Sequence, residues 1–131
     1  MIVAIDGPAA SGKSTSAKLL AKELGFLYLD TGAMYRCVSW AVIKDEIDLS
    51  NDRQLLNFLK IFKIDLKNTG NRSSFYVNNK DVTDLIRKSN ISQRVSEVSA
   101  IPDIRDFMVD IQRNYAKTEN CVMDVRDIGT V

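Results

Sequence analysis

The sequence has no histidine and few residues of the kinds that build disulfide-rich scaffolds. Its 131 residues include two cysteines, two prolines and one tryptophan. The lack of histidine excludes histidine-based acid–base catalysis and histidine ligation of a metal. Two cysteines do not make a disulfide framework, so we interpret Cys37 and Cys121 as reduced, buried thiols.

An excess of one charge and long apolar runs are missing as well. The chain carries 18 Lys and Arg residues against 17 Asp and Glu residues, which argues against a broad surface for nucleic acid or membrane. No apolar run is long enough to span a membrane, and the first residues, MIVAID, lack the basic segment of a secretory signal. We therefore expect a cytoplasmic protein. Apolar residues still make up 45% of the chain, enough for one compact domain.

The apolar residues predict an alternation of strands and helices. Three short apolar runs predict buried strands, at residues 2–5, 26–29 and 121–123. After the first of them, Leu19, Leu20 and Leu24 fall on one face of a helix, and Gly25 lies where a C-cap is expected. The apolar residues of a second helix follow at helical spacing: Met34, Val38, Ala41 and Val42. This alternation is typical of an α/β fold with a parallel sheet.

The middle of the chain follows a different pattern. Residues 61–82 predict a small β-rich excursion, with a loop over residues 67–74 and a turn at Asn78 and Asn79. Helical spacing then returns, with Pro102 in a first helical turn. We accordingly divide the chain into three parts: a core region at residues 1–60, an inserted subdomain at residues 61–88 and a continued core region at residues 89–131.

The strongest motif is a phosphate-binding loop near the N-terminus. It matches the pattern G-x-x-x-x-G-K-[ST] over Gly7, Pro8, Ala9, Ala10, Ser11, Gly12, Lys13 and Ser14, with Thr15 beside it. The glycines let backbone N–H groups close around an anion, and the following helix directs its N-terminal dipole at the phosphates. Lys13 would neutralise the β- and γ-phosphate oxygens, and Ser14 would ligate Mg²⁺. The motif predicts a nucleoside triphosphate site, which we assign to ATP.

The ends of the other two strands carry polar and charged residues. The turn after the second strand contains Asp30, Thr31, Gly32, Tyr35 and Arg36, and the third strand is followed by Arg126 and Asp127. Ligands of open parallel sheets bind at the carboxyl ends of the strands, so both turns should lie beside the phosphate loop, with their arginines on phosphates. Taken alone, Arg36 also fits a solvated helix charge, and Arg126 with Asp127 a surface ion pair.

These segments together resemble the cytidylate kinase family. The segment IDGPAASGKST resembles the phosphate loop of that family, and LDTGAMYR resembles its monophosphate-binding turn. The segment VSEVSAIPDIR is similar to its base-reading helix region, and RDIGTV resembles a further signature of the family. The resemblance covers essentially the whole chain, and the β-rich excursion lies where the family has an inserted monophosphate-binding domain. It implies a P-loop fold like that of nucleoside monophosphate kinases.

The resemblance also implies a reaction, the transfer of a phosphoryl group from ATP to CMP or dCMP with Mg²⁺. Lys13, Arg36 and Arg126 would be catalytic. The site for CMP would comprise Asp30, Thr31, Gly32, Tyr35, Arg36, Ser96, Arg105, Arg126 and Asp127. Ser96, Arg105 and Asp127 would read cytosine, whose N4 amino group donates and whose N3 and O2 atoms accept. The implied partners are small nucleotides rather than nucleic acid or membrane, and a complete protein is expected to be a monomer.

Two features depart from the family pattern. Val125 stands where members usually have glycine, and a β-branched residue resists backbone conformations that glycine allows. The pattern also continues beyond Val131 with lid arginines and the last strands and helices, so we expect the 131-residue chain to bind nucleotides weakly and turn over poorly, as a fragment, a truncated product or half of a split enzyme. Two alternatives stay open: a kinase for another nucleoside monophosphate, and a catalytically inactive nucleotide-binding module.

Overall fold

The computed structural model describes residues 2–7, 13–69 and 72–126. Its elements in chain order are β1 (Ile2–Gly7), α1 (Lys13–Leu24), β2 (Leu27–Asp30), α2 (Thr31–Lys44), α3 (Asp52–Ile61), β3 (Ile64–Thr69), β4 (Arg72–Val77), β5 (Lys80–Asp81), a 3₁₀ turn (Leu85–Arg87), α4 (Ser89–Ser99), α5 (Pro102–Thr118) and β6 (Cys121–Arg126). The predicted alternation of strand and helix at the start of the chain is confirmed.

Three strands form a parallel sheet in the order β1–β6–β2. The last strand in the sequence therefore lies between the first two, with Cys121 opposite both Ile2 and Leu27. Parallel neighbours need crossover connections, and the helices supply them. The prediction of an α/β fold with a parallel sheet is confirmed.

Side chains of alternate strand residues divide between the two faces of this sheet, as strand geometry requires. Tyr28 and Val122 pack on the face that α1 covers. Leu29, Cys121 and Met123 point to the other face and join the main hydrophobic core. That core is the larger one and takes in buried residues of α2, α3, α4 and α5.

Helix α1 buries small residues rather than its leucines. Ala17 and Ala21 are buried against the sheet, and Leu20 is partly buried beside them. Leu19 and Leu24 are 58% and 46% exposed. The leucine face that spacing predicts is thus not the contact face, because short alanine side chains let the helix backbone approach the strands closely. Gly25, in contrast, has the predicted role, since its φ of +69° is the left-handed conformation that follows a helix end.

The second sheet is antiparallel, in the order β3–β4–β5. It lies within the segment predicted to be β-rich, but the pairing of β3 with β4 extends further than expected, to Thr69 opposite Arg72. The predicted loop over residues 67–74 is therefore wrong at residues 67–69 and 72–74, which are strand residues; their polar side chains had given no apolar alternation. Residues 70 and 71 lie outside the described residues. The predicted turn is confirmed: Asn78 and Asn79 both have positive φ, +48° and +70°, as a two-residue hairpin turn requires.

The antiparallel sheet shares the main core with the rest of the chain. Leu66, Phe75 and Val77 are buried in the same cluster as Val38 of α2 and Met108 of α5. Two aromatic contacts continue this packing: the ring centroid of Phe62 lies 5.4 Å from that of Phe58 in a tilted pair and 5.8 Å from that of Phe107 in an edge-on pair. Among the described residues, no helix combines the length and the apolar character that a membrane crossing needs.

Candidate functional site

The three parallel strands end at one edge of their sheet. Gly7, the last residue of β1, is opposite Arg126, the last residue of β6. Asp30, the last residue of β2, is opposite Asp124 of the same central strand. The backbone at these three sequence-predicted positions is therefore brought together at the carboxyl edge, where ligands of open α/β sheets bind.

The segment between β1 and α1 corresponds to the predicted phosphate loop. Gly7 closes the strand, and Lys13, Ser14 and Thr15 are the first three residues of α1. Residues 8–12 lie outside the described residues. The first turn of a helix has backbone N–H groups without intrahelical acceptors, and its dipole favours an anion there. The strand before the motif and the helix after it are the context in which this motif binds phosphate.

Asp30 shapes the turn after β2. It is the N-cap of α2, with an extended backbone at φ −84° and ψ 95°, and its Oδ1 atom accepts a hydrogen bond of 3.0 Å from the Ala33 N–H. Thr31 is buried, and Gly32 is half-buried in the first turn. Arg36 lies one turn further on and is half-buried. A half-buried arginine near a helix N-terminus at this edge is well suited to bind a phosphate group.

Burial changes the acidity of two side chains of α2. Desolvation raises the pKa of the Tyr35 phenol, while the positive charge of Arg105 acts to lower it. The phenol therefore lies within electrostatic range of that guanidinium on α5. Burial, aided by the negative charge of Asp30, raises the pKa of the Cys37 thiol to about 12. A thiol with so high a pKa is a poor nucleophile.

Both cysteines are free and buried, as predicted. Desolvation also raises the pKa of Cys121, which opens the central strand. Neither thiol has the electropositive, accessible surroundings of a reactive cysteine. Among the described residues there is also no group of three or more His, Cys, Asp or Glu residues that could hold a metal ion.

Two of the three residues predicted to read the base lie on helices that pack together. Ser96 is exposed on α4, and its carbonyl accepts a 3.2 Å hydrogen bond from the Ser99 hydroxyl. Arg105 is half-buried in the first turns of α5, which packs on α4. Asp127 lies outside the described residues. The structure thus relates Arg105 to Tyr35, whereas the meeting of Ser96, Arg105 and Asp127 around one base stays a prediction.

Val125 occupies an ordinary strand position. It belongs to β6 and lies opposite Asp6 in the register with β1. An extended strand is the conformation that β-branched residues favour. The backbone at this position therefore does not require glycine.

Two polar residues that the sequence did not single out accept hydrogen bonds from strands distant in the chain. The Tyr28 N–H of β2 donates to Asn68 Oδ1 at 2.8 Å, and the Leu66 N–H of β3 donates to the Tyr115 hydroxyl at 3.1 Å. The partners are 40 and 49 residues apart in the chain. Contacts of that range leave no local signal in a single sequence.

A groove of about 420 Å³ lies between the start of β3 and the last turns of α5. Its lining includes Phe62, Ile64, Ile111 and Tyr115. Because the last turns of α5 lead directly into the start of β6, this groove lies toward the edge at which the central strand begins. It is distinct from the edge at which the three strands end.

The chain matches the family model for cytidylate kinase over residues 3–131. It is 45% identical over 131 residues to a cytidylate kinase of Protochlamydia amoebophila (strain UWE25), a match that covers all of this chain and 58% of that relative. It is 51% identical over 130 residues to a bifunctional pantoate ligase/cytidylate kinase of Prochlorococcus marinus (strain AS9601), covering 98% of this chain and 26% of the relative. The chain thus spans less than two thirds of the length of either curated relative.

Proposed function

The chain belongs to the cytidylate kinase family, and we propose that the protein transfers the γ-phosphoryl group of ATP to CMP or dCMP, giving ADP and CDP or dCDP. One observation carries the proposal: β1 and β2 lead into a phosphate-loop motif and a capped helix N-terminus at the same edge of one parallel sheet. Two helices that begin at one sheet edge, on either side of the central strand, suit a reaction between two phosphate groups.

The phosphate loop would hold the triphosphate. Gly7 and Gly12 free the loop backbone to surround the phosphates, and α1 contributes its N-terminal N–H groups and dipole. Lys13 would neutralise charge on the β- and γ-phosphate oxygens. Binding at this end would require no base recognition, because the phosphate-loop motif acts on phosphate groups.

A magnesium ion fits the residues present. Ser14 is in the first turn of α1, directly after the loop, and its hydroxyl is the oxygen ligand that Mg²⁺ prefers. Magnesium at kinase sites keeps several waters and takes oxygens from the substrate phosphates, so it would need few protein ligands, of which Ser14 would be one. When bound, the ion would neutralise charge on the β- and γ-phosphates.

The turn after β2 would hold the acceptor phosphate. Asp30 fixes the start of α2 through its hydrogen bond to Ala33, which aims the helix N-terminus along the strand end. Arg36 would bind the monophosphate from the next turn, and Arg126 would bind phosphate from the end of the central strand. Thr31 and Gly32 line this first turn. Arginines on both sides would neutralise the two anionic groups that must approach each other.

Base selection would use the face formed by α2, α4 and α5. The Arg105 guanidinium lies within electrostatic range of the Tyr35 phenol on this face. Arg105 and Ser96 would then donate to the cytosine N3 and O2 atoms, and Asp127 would accept from the N4 amino group. Uracil lacks that amino donor, so it would leave the carboxylate unpaired.

The transfer itself requires positioning rather than a protein base. The attacking oxygen belongs to the CMP phosphate and is already anionic, so the absence of histidine is no obstacle. Arg36 and Arg126 would hold the acceptor oxygen in line with the γ-phosphorus, while Lys13 would stabilise the charge that develops on the leaving ADP. We assign the antiparallel sheet, within residues 61–88, to the inserted monophosphate-binding subdomain of this P-loop fold.

The test is an ADP-release assay on the 131-residue chain. ATP and Mg²⁺ are supplied with CMP, dCMP, UMP or AMP in turn, and with no acceptor. We expect ADP release that depends on CMP and dCMP, at a low rate. Equal release with every acceptor or without one would contradict the proposal, and release with UMP or AMP alone would indicate a kinase for another monophosphate.

Matched variants separate the two phosphate sites. Lys13→Ala should abolish turnover, whereas Lys18→Ala, an exposed residue further along α1, should not. Arg36→Ala should raise the KM for CMP more than that for ATP, whereas Arg53→Ala on the exposed side of α3 should change neither. Equal turnover in Lys13→Ala and Lys18→Ala would contradict the role of Lys13 in ATP binding. Equal KM values for CMP in Arg36→Ala and Arg53→Ala would contradict the role of Arg36 in CMP binding.

A further inference from the structure

The outer edge of the parallel sheet is tied to the second sheet by a side chain. In β2 the Leu27 N–H donates to the Asn120 carbonyl at 2.9 Å, toward the central strand. Strand geometry then directs the next N–H, that of Tyr28, away from the central strand. It donates to Asn68 Oδ1 at 2.8 Å. A side chain of β3 thus takes the position that a further strand would occupy.

Asn68 uses both ends of its carboxamide. Its register partner on β4 is Ser73, and its Nδ2 atom donates to the Ser73 hydroxyl at 3.1 Å. One group of the side chain therefore accepts from the parallel sheet while the other donates within the antiparallel sheet. Leucine, alanine or lysine at position 68 would lose the acceptor, and a carboxylate would keep it.

This contact lies directly before the turn proposed to hold the acceptor. Tyr28 precedes Asp30 by two residues, and Asp30 caps α2 at the start of that turn. We propose that Asn68 is a positioning residue for the acceptor nucleotide: by joining β3 to the edge of β2, it fixes the antiparallel sheet relative to the monophosphate turn. The effect on CMP rests on the proposed function.

The antiparallel sheet has other attachments, so the loss of this one should not unfold the chain. Leu66, Phe75 and Val77 stay in the shared core. The ammonium group of Lys80 on β5 lies 5.4 Å from the centre of the Trp40 ring on α2. Asn68 itself is exposed. Without it the sheet should stay docked but lose its fixed placement beside β2.

The test compares four variants of the 131-residue chain by amide hydrogen exchange and by calorimetric titration with CMP and with ATP. Asn68→Ala should speed exchange at the Tyr28 amide by about tenfold or more and weaken CMP binding about fivefold, the value of one hydrogen bond, with ATP binding within about twofold of the unsubstituted chain. Asn68→Asp should restore both quantities. Ser73→Ala should show a smaller change of the same kind.

Tyr115→Phe is the matched control. It removes the hydroxyl that accepts from the Leu66 N–H, so it should speed exchange at Leu66 and cost comparable stability. The ratio of CMP to ATP affinity should not change. A merely structural role for Asn68 would make Asn68→Ala resemble this control.

Each outcome decides a different question. Absence of CMP binding by the unsubstituted chain would overturn the proposed function and the positioning role with it. If the unsubstituted chain binds CMP and Asn68→Ala binds it equally well, or loses CMP and ATP affinity in parallel, the positioning role alone is overturned. Unchanged exchange at Tyr28 in Asn68→Ala would overturn the tie between the sheets.

Discussion

Asp30 has two separable roles, and substitution should distinguish them. Its side chain caps α2 through the 3.0 Å bond to the Ala33 N–H, and its charge lies at the positive end of that helix. Loss of an N-cap costs about 1 kcal/mol, and loss of a favourable charge at a helix N-terminus about 0.3–1 kcal/mol. Asp30→Ala removes both and should lower the free energy of unfolding by about 1.5 kcal/mol. Asp30→Asn keeps a capping oxygen and should lower it by about 0.5 kcal/mol.

Urea titration followed by circular dichroism measures both variants. With about 3–5 °C of melting temperature per kcal/mol for a chain of this size, Asp30→Ala should also melt about 5 °C lower. Binding of CMP should weaken in Asp30→Ala, because the turn that presents α2 is loosened. Equal stability of Asp30→Ala and the unsubstituted chain would refute the capping role, and equal losses in the two variants would assign the whole effect to charge.

Substitutions at three further positions test the backbone and the core. Burial raises the pKa of the Cys37 thiol from 9.0 to about 12, so the folded state retains this proton when the unfolded state has lost it, and stability should fall as pH rises from about 9 toward 12. Cys37→Ala should lose less stability over that interval in urea titrations, and parallel pH profiles would contradict the burial. Gly25→Ala should lower the free energy of unfolding by about 1 kcal/mol, because its φ of +69° strains a residue with a Cβ while the added Cβ meets nothing within 4 Å. A decrease above about 3 kcal/mol would show that the added Cβ clashes with a neighbour. Asn79→Val should lower the urea midpoint through its φ of +70°, whereas Asn79→Gly should maintain or raise it, and the reverse order would contradict the hairpin turn.

Local signals in the sequence predicted much of the architecture. Gly25 ends a helix, Pro102 begins one, and Asn78 with Asn79 forms a turn, because each residue has a backbone preference that its neighbours do not override. Apolar periodicity gave the buried positions of α2. The convergence of strand ends at one edge followed from the parallel sheet itself, which needed only the prediction that β1, β2 and β6 share it.

Features that depend on distant contacts were not predicted. The sequence contains no sign that β6 lies between β1 and β2, or that Asn68 caps the edge of β2. Helix α3 was also missed, although a local signal existed: the Asn51 side chain accepts from the Gln54 N–H at 3.1 Å, a spacing typical of a helix start. Its amphipathic pattern is short, with Leu55 and Phe58 as the buried residues.

The fate of the transferred phosphoryl group tests the central claim most directly. The chain is incubated with ATP labelled at the γ-phosphorus, Mg²⁺ and CMP, and the products are separated by thin-layer chromatography. We predict that the label appears in CDP, that UMP in place of CMP gives little labelled diphosphate, and that Lys13→Ala forms none. Label recovered only as inorganic phosphate, or only in ATP while the chain binds both nucleotides, would contradict the claim that this sheet edge brings ATP and CMP together for transfer.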